Sequence, residues 1–363
     1  MWIFEAGVRS QKSGVRSTWP ARSFVQRRRL RICADCFLLT VLCLLTAYCL
    51  LPSAYCLFAA GTRYQVREVK PSVFVWIPED IIEEDGDPDF TRAGTAGFIV
   101  THEGVVVIDT TNTPFHGREL LYEIRQRTPQ PVTYVVDTNG TADQVLGNEV
   151  FRDSGATILA APGADAEMRE RQQELARLET SDRKLQRRMR GIHVKLPDRA
   201  VEGETTLRPN GQEIRFTRLD TRAPDLAVFL PGAKVAFLGD LFENNYFPQV
   251  EIGTGSRNVR QWIEALRAAE AWDADIYVPG HGEPGGKKDV ASFRQFLEWL
   301  ANEVQSRVAA GKSPEQTKTE LAPLVENYHW HAPELAAGLV TAVYQQLASP
   351  SAHTPDLPAA PRN

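Results

Sequence analysis

Residues 133–148 read TYVVDTNGTADQVLGN, and this stretch decides the fold. The run Thr133–Val136 is rich in β-branched and aromatic residues, which predicts a short buried strand. The run stops at Asp137, and a polar segment with several Asp, Thr and Asn residues follows. In α/β proteins, ligand sites lie just beyond the carboxyl ends of strands. The stretch therefore predicts a strand that leads directly into a functional site.

Three other apolar runs end in the same way, at GVVVIDT (104–110), VAFLGD (235–240) and IYVPGHG (276–282). Each passes from a predicted strand into Asp or His. Across the body of the chain, the predicted strands fall into two groups, and each group is followed by a helix. This alternation predicts an α/β protein of four layers, in which two sheets pack face to face with helices outside, an αββα sandwich.

The composition excludes several classes of protein. With 43% hydrophobic and 24% charged residues among 363, the chain can bury a core, which excludes wholesale disorder. Residues 1–36 carry eight Lys/Arg against two Asp/Glu, whereas the rest of the chain carries 33 against 44. An acidic body argues against a nucleic-acid partner, because phosphate binding needs clustered Lys and Arg. All five cysteines precede residue 57, so the body has neither a disulfide framework nor a cysteine nucleophile.

The head of the chain has the pattern of an export signal. Residues 37–60 contain no charged residue and follow four arginines between positions 27 and 31. Such a pattern is typical of a signal peptide or a signal anchor. The run is long enough to span a bilayer, whereas Pro52 and the small pair Ala59-Ala60 favour cleavage, so both forms stay open. We expect a periplasmic or extracellular protein whose only membrane contact is a transmembrane segment within residues 37–60.

The order and spacing of four segments resemble the metallo-β-lactamase superfamily. These segments are GFIVTHEGVVVIDT (97–110), DTNGTADQVLGN (137–148), LAVFLPGAKVAFLGDLF (226–242) and VPGHGEP (278–284). The resemblance implies the αββα fold and a hydrolytic centre of two zinc ions. In the family, the ligands are a His-x-His-x-Asp-His segment, a later His, a bridging Asp and a final His. Zinc suits these groups and lowers the pKa of a bound water to about 7, which makes hydroxide available at neutral pH.

The resemblance also divides the chain into four segments. Residues 1–60 are the basic head with its signal, and residues 61–288 form the metallo-β-lactamase-like domain. Residues 289–348 form a helical extension similar to that of exported family members. Residues 349–363 form a Pro/Ala-rich tail that we expect to be disordered.

The chain departs from the family where the first ion should bind. The three histidine ligands of that ion correspond to Asn139, Thr141 and Thr221, which are weak ligands or no ligands for zinc. We therefore do not expect a two-zinc site. These side chains and Gln144, which replaces a fourth histidine, are neutral hydrogen-bonding groups. We expect them to line a polar pocket.

The ligands of the second ion are better preserved, as Asp143, the bridging Asp240 and the final His281. Two carboxylates and an imidazole suit a single divalent ion, which the ligand types allow to be Zn, Fe or Mn. Asp143 would then be the catalytic residue that orients water, and Asp109 would orient ligands through hydrogen bonds. Without a metal the carboxylates would repel each other, so one pKa should rise or a Lys or Arg should approach.

Two functions from different classes stay open. The chain is either a hydrolase-like protein, at best a single-metal hydrolase of an ester, lactone or amide, or a non-catalytic pseudo-enzyme. In the second case, the cleft that holds the active site in the family binds a small-molecule ligand or a partner. Structural roles are also open, since Asp143 and Asp240 can cap turns and His281 can be a turn residue between glycines. The His329-Trp330-His331 sequence favours packing or surface roles, because residues i and i+2 point to different sides of a helix.

Overall fold

The computed structural model describes residues 64–79, 93–181, 192–219, 221–250 and 257–348. The predicted head and signal (1–60) and the predicted disordered tail (349–363) lie outside these residues. Within the described ranges, no helix combines the length and the apolar character that crossing a bilayer requires.

The first sheet has seven strands that neighbour one another in chain order. They are β1 (Tyr64–Lys70), β2 (Val73–Pro78), β3 (Ala96–Thr101), β4 (Gly104–Ile108), β5 (Val132–Val136), β6 (Thr157–Ala160) and β7 (Arg199–Ala200). Strands β1 to β4 form an antiparallel meander, and β4 to β7 run parallel. The parallel part places the carboxyl ends of β4 and β5 side by side.

The second sheet has five strands, again in chain order. They are β8 (Glu204–Leu207), β9 (Ile214–Arg218), β10 (Leu226–Leu230), β11 (Val235–Glu243) and β12 (Ile276–His281). Neighbouring strands are antiparallel except for β11 and β12, which are parallel. The ends of β11 and β12 therefore lie at one edge of the sheet.

The described residues form eight α-helices, most of which cover the outer faces of the two sheets. They are α1 (Pro114–Arg127), α2 (Ala142–Val145), α3 (Asn148–Asp153), α4 (Ala164–Ser181), α5 (Val259–Glu270), α6 (Lys287–Ala309), α7 (Pro314–Glu326) and α8 (Ala336–Ala348). The Glu-, Arg- and Gln-rich sequence of residues 164–190 predicts one long helix, and residues 182–190 lie outside the described part of the chain. Among the described residues, α4 ends at Ser181.

Three buried clusters establish the layers. Val106 of β4 and Phe216 of β9 belong to the cluster between the two sheets. Leu120 of α1 packs with the outer face of the first sheet. Trp262 of α5 and Phe293 of α6 pack with the outer face of the second. The predicted αββα sandwich is confirmed.

The helical extension shares its core with the sandwich. Phe296 of α6, Leu321 of α7 and Val343 of α8 belong to the same buried cluster as Leu238 of β11. The boundary that we placed at residue 289 falls inside α6. The last three helices therefore form an outer layer on the second sheet.

Strands β11 and β12 run further than their sequences indicate, because their apolar runs end at Leu238 and Val278. The pairing of β11 with β12 shifts register at Gly239, which has a φ of 52°. A Cβ at this residue would lie 2.2 Å from the hydroxyl oxygen of Thr138. Only glycine fits this conformation and this close approach, and the irregularity turns the following residue, Asp240, towards the first sheet.

Candidate active site

The structure brings six of the predicted site residues together where the two sheets meet. The loop after β5 and the short helix α2 supply four of them, and β11 and β12 supply one each. Direct contacts join Asn139, Thr141, Asp143, Gln144, Asp240 and His281 in two groups.

The carboxylate of Asp240 is the hub of the larger group. Its Oδ2 accepts a hydrogen bond from Asn139 Nδ2 at 2.9 Å and lies 3.4 Å from Thr141 Oγ1. Its Oδ1 accepts a hydrogen bond from Gln144 Nε2 at 2.8 Å. Asp240 is only 8% exposed. Both oxygens of a buried carboxylate therefore contact neutral donors of this chain.

The backbone determines which way the Asn139 amide is turned. Asn139 Oδ1 accepts a hydrogen bond from the Thr141 backbone N–H at 2.8 Å, and a backbone N–H can only donate. Thr141 Oγ1 also donates to this oxygen, at 2.6 Å. The amide nitrogen of Asn139 must therefore face Asp240, so the neighbour of this carboxylate at position 139 is a donor and not a metal ligand.

Asp143 and His281 form the second group. His281 Nε2 lies 2.7 Å from Asp143 Oδ2, and the His281 backbone N–H donates to Glu243 Oε2 at 2.8 Å. Burial disfavours the charged imidazole, but the Glu243 charge and the Asp143 hydrogen bond and charge outweigh burial and raise the pKa of His281 to about 9. Burial also opposes ionisation of Asp143, yet the hydrogen bond and charge of His281 lower its pKa. Burial raises the pKa of Glu243 well above its usual range.

A cation that we did not predict stands beside Asp240. The Arg257 Nη2 lies 3.8 Å from Asp240 Oδ2. The same guanidinium holds the buried Asp225 through hydrogen bonds of 2.6 Å from Nη2 and 2.9 and 3.1 Å from Nε. Burial and then the charge of Asp143 raise the pKa of Asp240, while the charge of Arg257 opposes the rise. The guanidinium thus places a positive charge beside the carboxylate pair of Asp143 and Asp240.

Two of the predicted site residues, Thr221 and Asp109, bond to neighbours of the site residues. Thr221 is fully buried, and its hydroxyl donates to Asp225, the partner of Arg257. Asp109 accepts hydrogen bonds from the backbone N–H of Thr138 at 2.7 Å and from its hydroxyl at 2.8 Å. Burial raises the pKa of Asp109 well above its usual range. Asp109 thus fixes Thr138, the residue before Asn139, through two hydrogen bonds.

The residues present fit two metal ions poorly. For a single ion, the types of ligand atom are suitable, but the atoms are engaged in other bonds. Asp143, Asp240 and His281 each offer one ligand atom, and these three atoms lie within 4.8 Å of one another. This is a possible three-residue metal site. However, the same carboxylate and imidazole atoms already form hydrogen bonds with protein groups. On the side of the first ion, Asp240 faces the amide N–H of Asn139 and the guanidinium of Arg257, and both groups repel a cation.

A cleft of about 230 Å³ opens beside the site, with His281 in its wall. The ring of Tyr246 stacks between His281, with ring centroids 5.0 Å apart, and His331, at 5.8 Å. His331 thus has the packing role that we expected and also lines the cleft, which we did not predict. The other lining residues are Ile77, Pro78, Glu79, Ala93, Asn244, Asn245, Gly282 and Glu283. Apolar and polar groups therefore share the wall.

The fold and the positions of the site residues define a sandwich of the metallo-hydrolase type. The sequence profile of the Metallo-beta-lactamase superfamily matches residues 90–281, just over half of the chain. The chain belongs to this superfamily.

Relatives are distant. A linear primary-alkylsulfatase of a Pseudomonas species is 22% identical over 268 residues, which is 62% of this chain and 50% of that protein. This chain thus spans about half the length of that relative. Among solved structures, the sec-alkylsulfatase Pisa1 from Pseudomonas sp. has a TM-score of 0.58 at 19% identity, covering 81% of this chain and 52% of that one. A metallo-beta-lactamase from Pontibacter korlensis has a TM-score of 0.50 at 20% identity, covering 65% and 99%. These similarities establish the fold.

Proposed function

We propose that this chain is a non-catalytic relative of the metallo-hydrolases and binds a small amphiphilic molecule in the cleft beside His281. One observation carries the proposal. Both oxygens of Asp240, the bridging ligand of the family, contact side-chain donors of the protein, with Arg257 3.8 Å away. A carboxylate satisfied in this way needs no ion to compensate its burial.

The walls of the cleft support an amphiphilic ligand. Ile77 and Ala93 offer apolar surface, while the imidazoles of His281 and His331 offer hydrogen-bonding groups. Glu283 at the same cleft pairs with Arg67 at 2.8 Å, which offsets its charge. Two relatives bear the name alkylsulfatase, which indicates molecules with an alkyl chain and a sulfate group. We therefore propose a short alkyl chain with a sulfate-like head as the ligand class.

Thermal melts of the full chain with hexyl sulfate test this proposal. We expect hexyl sulfate to raise the melting temperature in the presence of EDTA, because the site needs no metal. Tyr246→Ala should abolish this shift, since it removes the ring between the two histidines, whereas Tyr122→Ala on the exposed face of α1 should not. Hexanol and hexylamine serve as probes of the head group. Stabilisation that is equal in Tyr246→Ala, or absent, would contradict the proposal.

A single-metal hydrolase is the second candidate, because three ligand atoms lie within 4.8 Å. Asp143, Asp240 and His281 would hold a Zn, Fe or Mn ion, which supplies an ionised water at neutral pH when bound. Asp240 would first have to lose its bonds to Asn139 and Gln144. Zinc-dependent release of sulfate or alcohol from hexyl sulfate, or of nitrophenol from a nitrophenyl ester, would favour this candidate over ligand binding.

We also propose that the protein is exported. The proposal rests on the uncharged run 37–60 and the arginines before it. Fusion of residues 1–60 to a phosphatase reporter that is active only outside the cytoplasm tests it. Reporter activity is expected with the native head and should be lost when the apolar run is interrupted by charged residues. Equal activity of both fusions would contradict export through this segment.

A further inference from the structure

We propose that Arg257 takes the place of the first metal ion: its guanidinium is the built-in cation that compensates Asp240 and keeps a divalent ion away from this carboxylate. This inference rests on the proposed function, in which Asp240 is held by protein groups. It adds a residue that contributes no ligand and that the sequence resemblance does not include.

The position of Arg257 is the first support. Its side chain is only 10% exposed, and Nη2 lies 3.8 Å from Asp240 Oδ2. That oxygen is the one that also contacts Asn139 and Thr141, the residues at the ligand positions of the first ion. The third such position, Thr221, reaches Arg257 through Asp225. The guanidinium is therefore linked to all three substituted ligand positions.

The way in which Arg257 is held is the second support. Asp225 is 1% exposed and binds both Nε and Nη2, so the guanidinium is clamped at two nitrogens. The backbone N–H of the next residue, Asn258, donates to the Thr221 carbonyl at 2.9 Å. Asn258 in turn caps α5. The guanidinium is thus fixed by its counter-ion and by the start of a helix, and cannot easily move away from an arriving ion.

The charge of Arg257 is the third support. Its guanidinium is a fixed cation beside the carboxylates of Asp225 and Asp240. A divalent ion beside Asp240 would have to approach a guanidinium within several ångströms, and repulsion between them in a buried site weakens binding strongly.

Titration of the full chain with zinc, followed by calorimetry, tests the inference. In the variant Asp225→Asn/Arg257→Met both buried charges are removed together, so that neither is left unpaired. We expect no saturable binding in the wild type, and saturable binding of one zinc per chain in the double variant. Binding should be lost when Asp240→Asn is added. Arg260→Met removes an exposed arginine from the first turn of α5, which begins just after Arg257, and should behave as wild type.

Two further variants separate charge from shape and guard against misfolding. Arg257→Lys keeps the charge and should still bind no zinc; if it binds zinc like the double variant, exclusion by charge is wrong. If Asp225→Asn/Arg257→Met does not fold, Asp225→Asn/Arg257→Gln provides two amides that can bond to each other. A folded double variant that binds no zinc overturns the inference and leaves the proposed function standing. Tight zinc binding by the wild type overturns the proposed function itself.

Discussion

Replacing Asn139 by Asp is the most informative single change at this site. The two side chains have the same shape, but the change converts an N–H donor 2.9 Å from Asp240 Oδ2 into a second carboxylate. Two carboxylates this close cannot both stay ionised in a buried site, so the folded protein must take up a proton or open the loop. In the unfolded chain both groups ionise freely.

The cost follows from the difference in proton uptake. An unfolded Asp has a pKa of about 3.9, and each pH unit above that value costs about 1.4 kcal/mol if one carboxyl stays protonated. At pH 7.5 the largest possible loss in the free energy of unfolding is about 5 kcal/mol. Partial opening of the site to water makes the loss smaller, so we expect the variant to be less stable by ~3–5 kcal/mol. Because the folded pKa of the new pair lies above the unfolded value, the loss grows as pH rises and shrinks towards pH 5.

Guanidinium chloride unfolding in EDTA, followed by tryptophan fluorescence at pH 5 and pH 7.5, measures this loss. Asn302→Asp, on an exposed position of α6, is the matched control and should change stability by about 0.5 kcal/mol or less. A loss below ~1 kcal/mol for Asn139→Asp at pH 7.5 would refute the reasoning. If zinc restored the stability of Asn139→Asp at pH 7.5, the carboxylates at positions 139 and 240 would be binding a cation between them.

Three other changes test different parts of the site. Gly239→Ala should destabilise the chain by about 2 kcal/mol or more in the same unfolding assay, because the residue has a positive φ and its Cβ would meet Thr138. Glu243→Gln should keep stability within ~1 kcal/mol, since an amide oxygen can still accept the His281 N–H, whereas Glu243→Ala leaves that donor unpaired and should cost about 1–3 kcal/mol. A variant with histidine restored at the four substituted ligand positions should gain zinc by elemental analysis, and more strongly with Arg257→Met; folded protein without zinc would contradict the assignment of positions 139, 141, 144 and 221.

Strand β5 was among the most predictable parts of this chain. The β5 run is short, β-branched and bounded by Asp137, and the observed strand, Val132–Val136, differs from the prediction by one residue. Strand β1 was not predicted, because Tyr64–Lys70 contains several polar side chains and no apolar run, and it lies at the edge of the sheet. The true end of β11 was missed since the irregularity at Gly239 depends on the approach of Thr138 from the other sheet.

The site was predictable as a set of positions but not as a network. The substitutions at Asn139 and Gln144 indicated a polar pocket, yet only the folded chain shows that both amides donate to Asp240. Arg257 carries no local signal, because it precedes a helix like many exposed arginines. Its role arises from contacts with Asp225 and Asp240, which reach it from different elements.

Metal content measures the central claim most directly, namely that protein donors and Arg257 have replaced the ions of the family site. The full chain, purified from cells grown with added zinc, would be analysed by plasma mass spectrometry and melted with and without EDTA. We predict far less than one zinc, iron or manganese ion per chain and the same melting temperature in both buffers. One ion per chain, together with a lower melting temperature in EDTA, would contradict the claim.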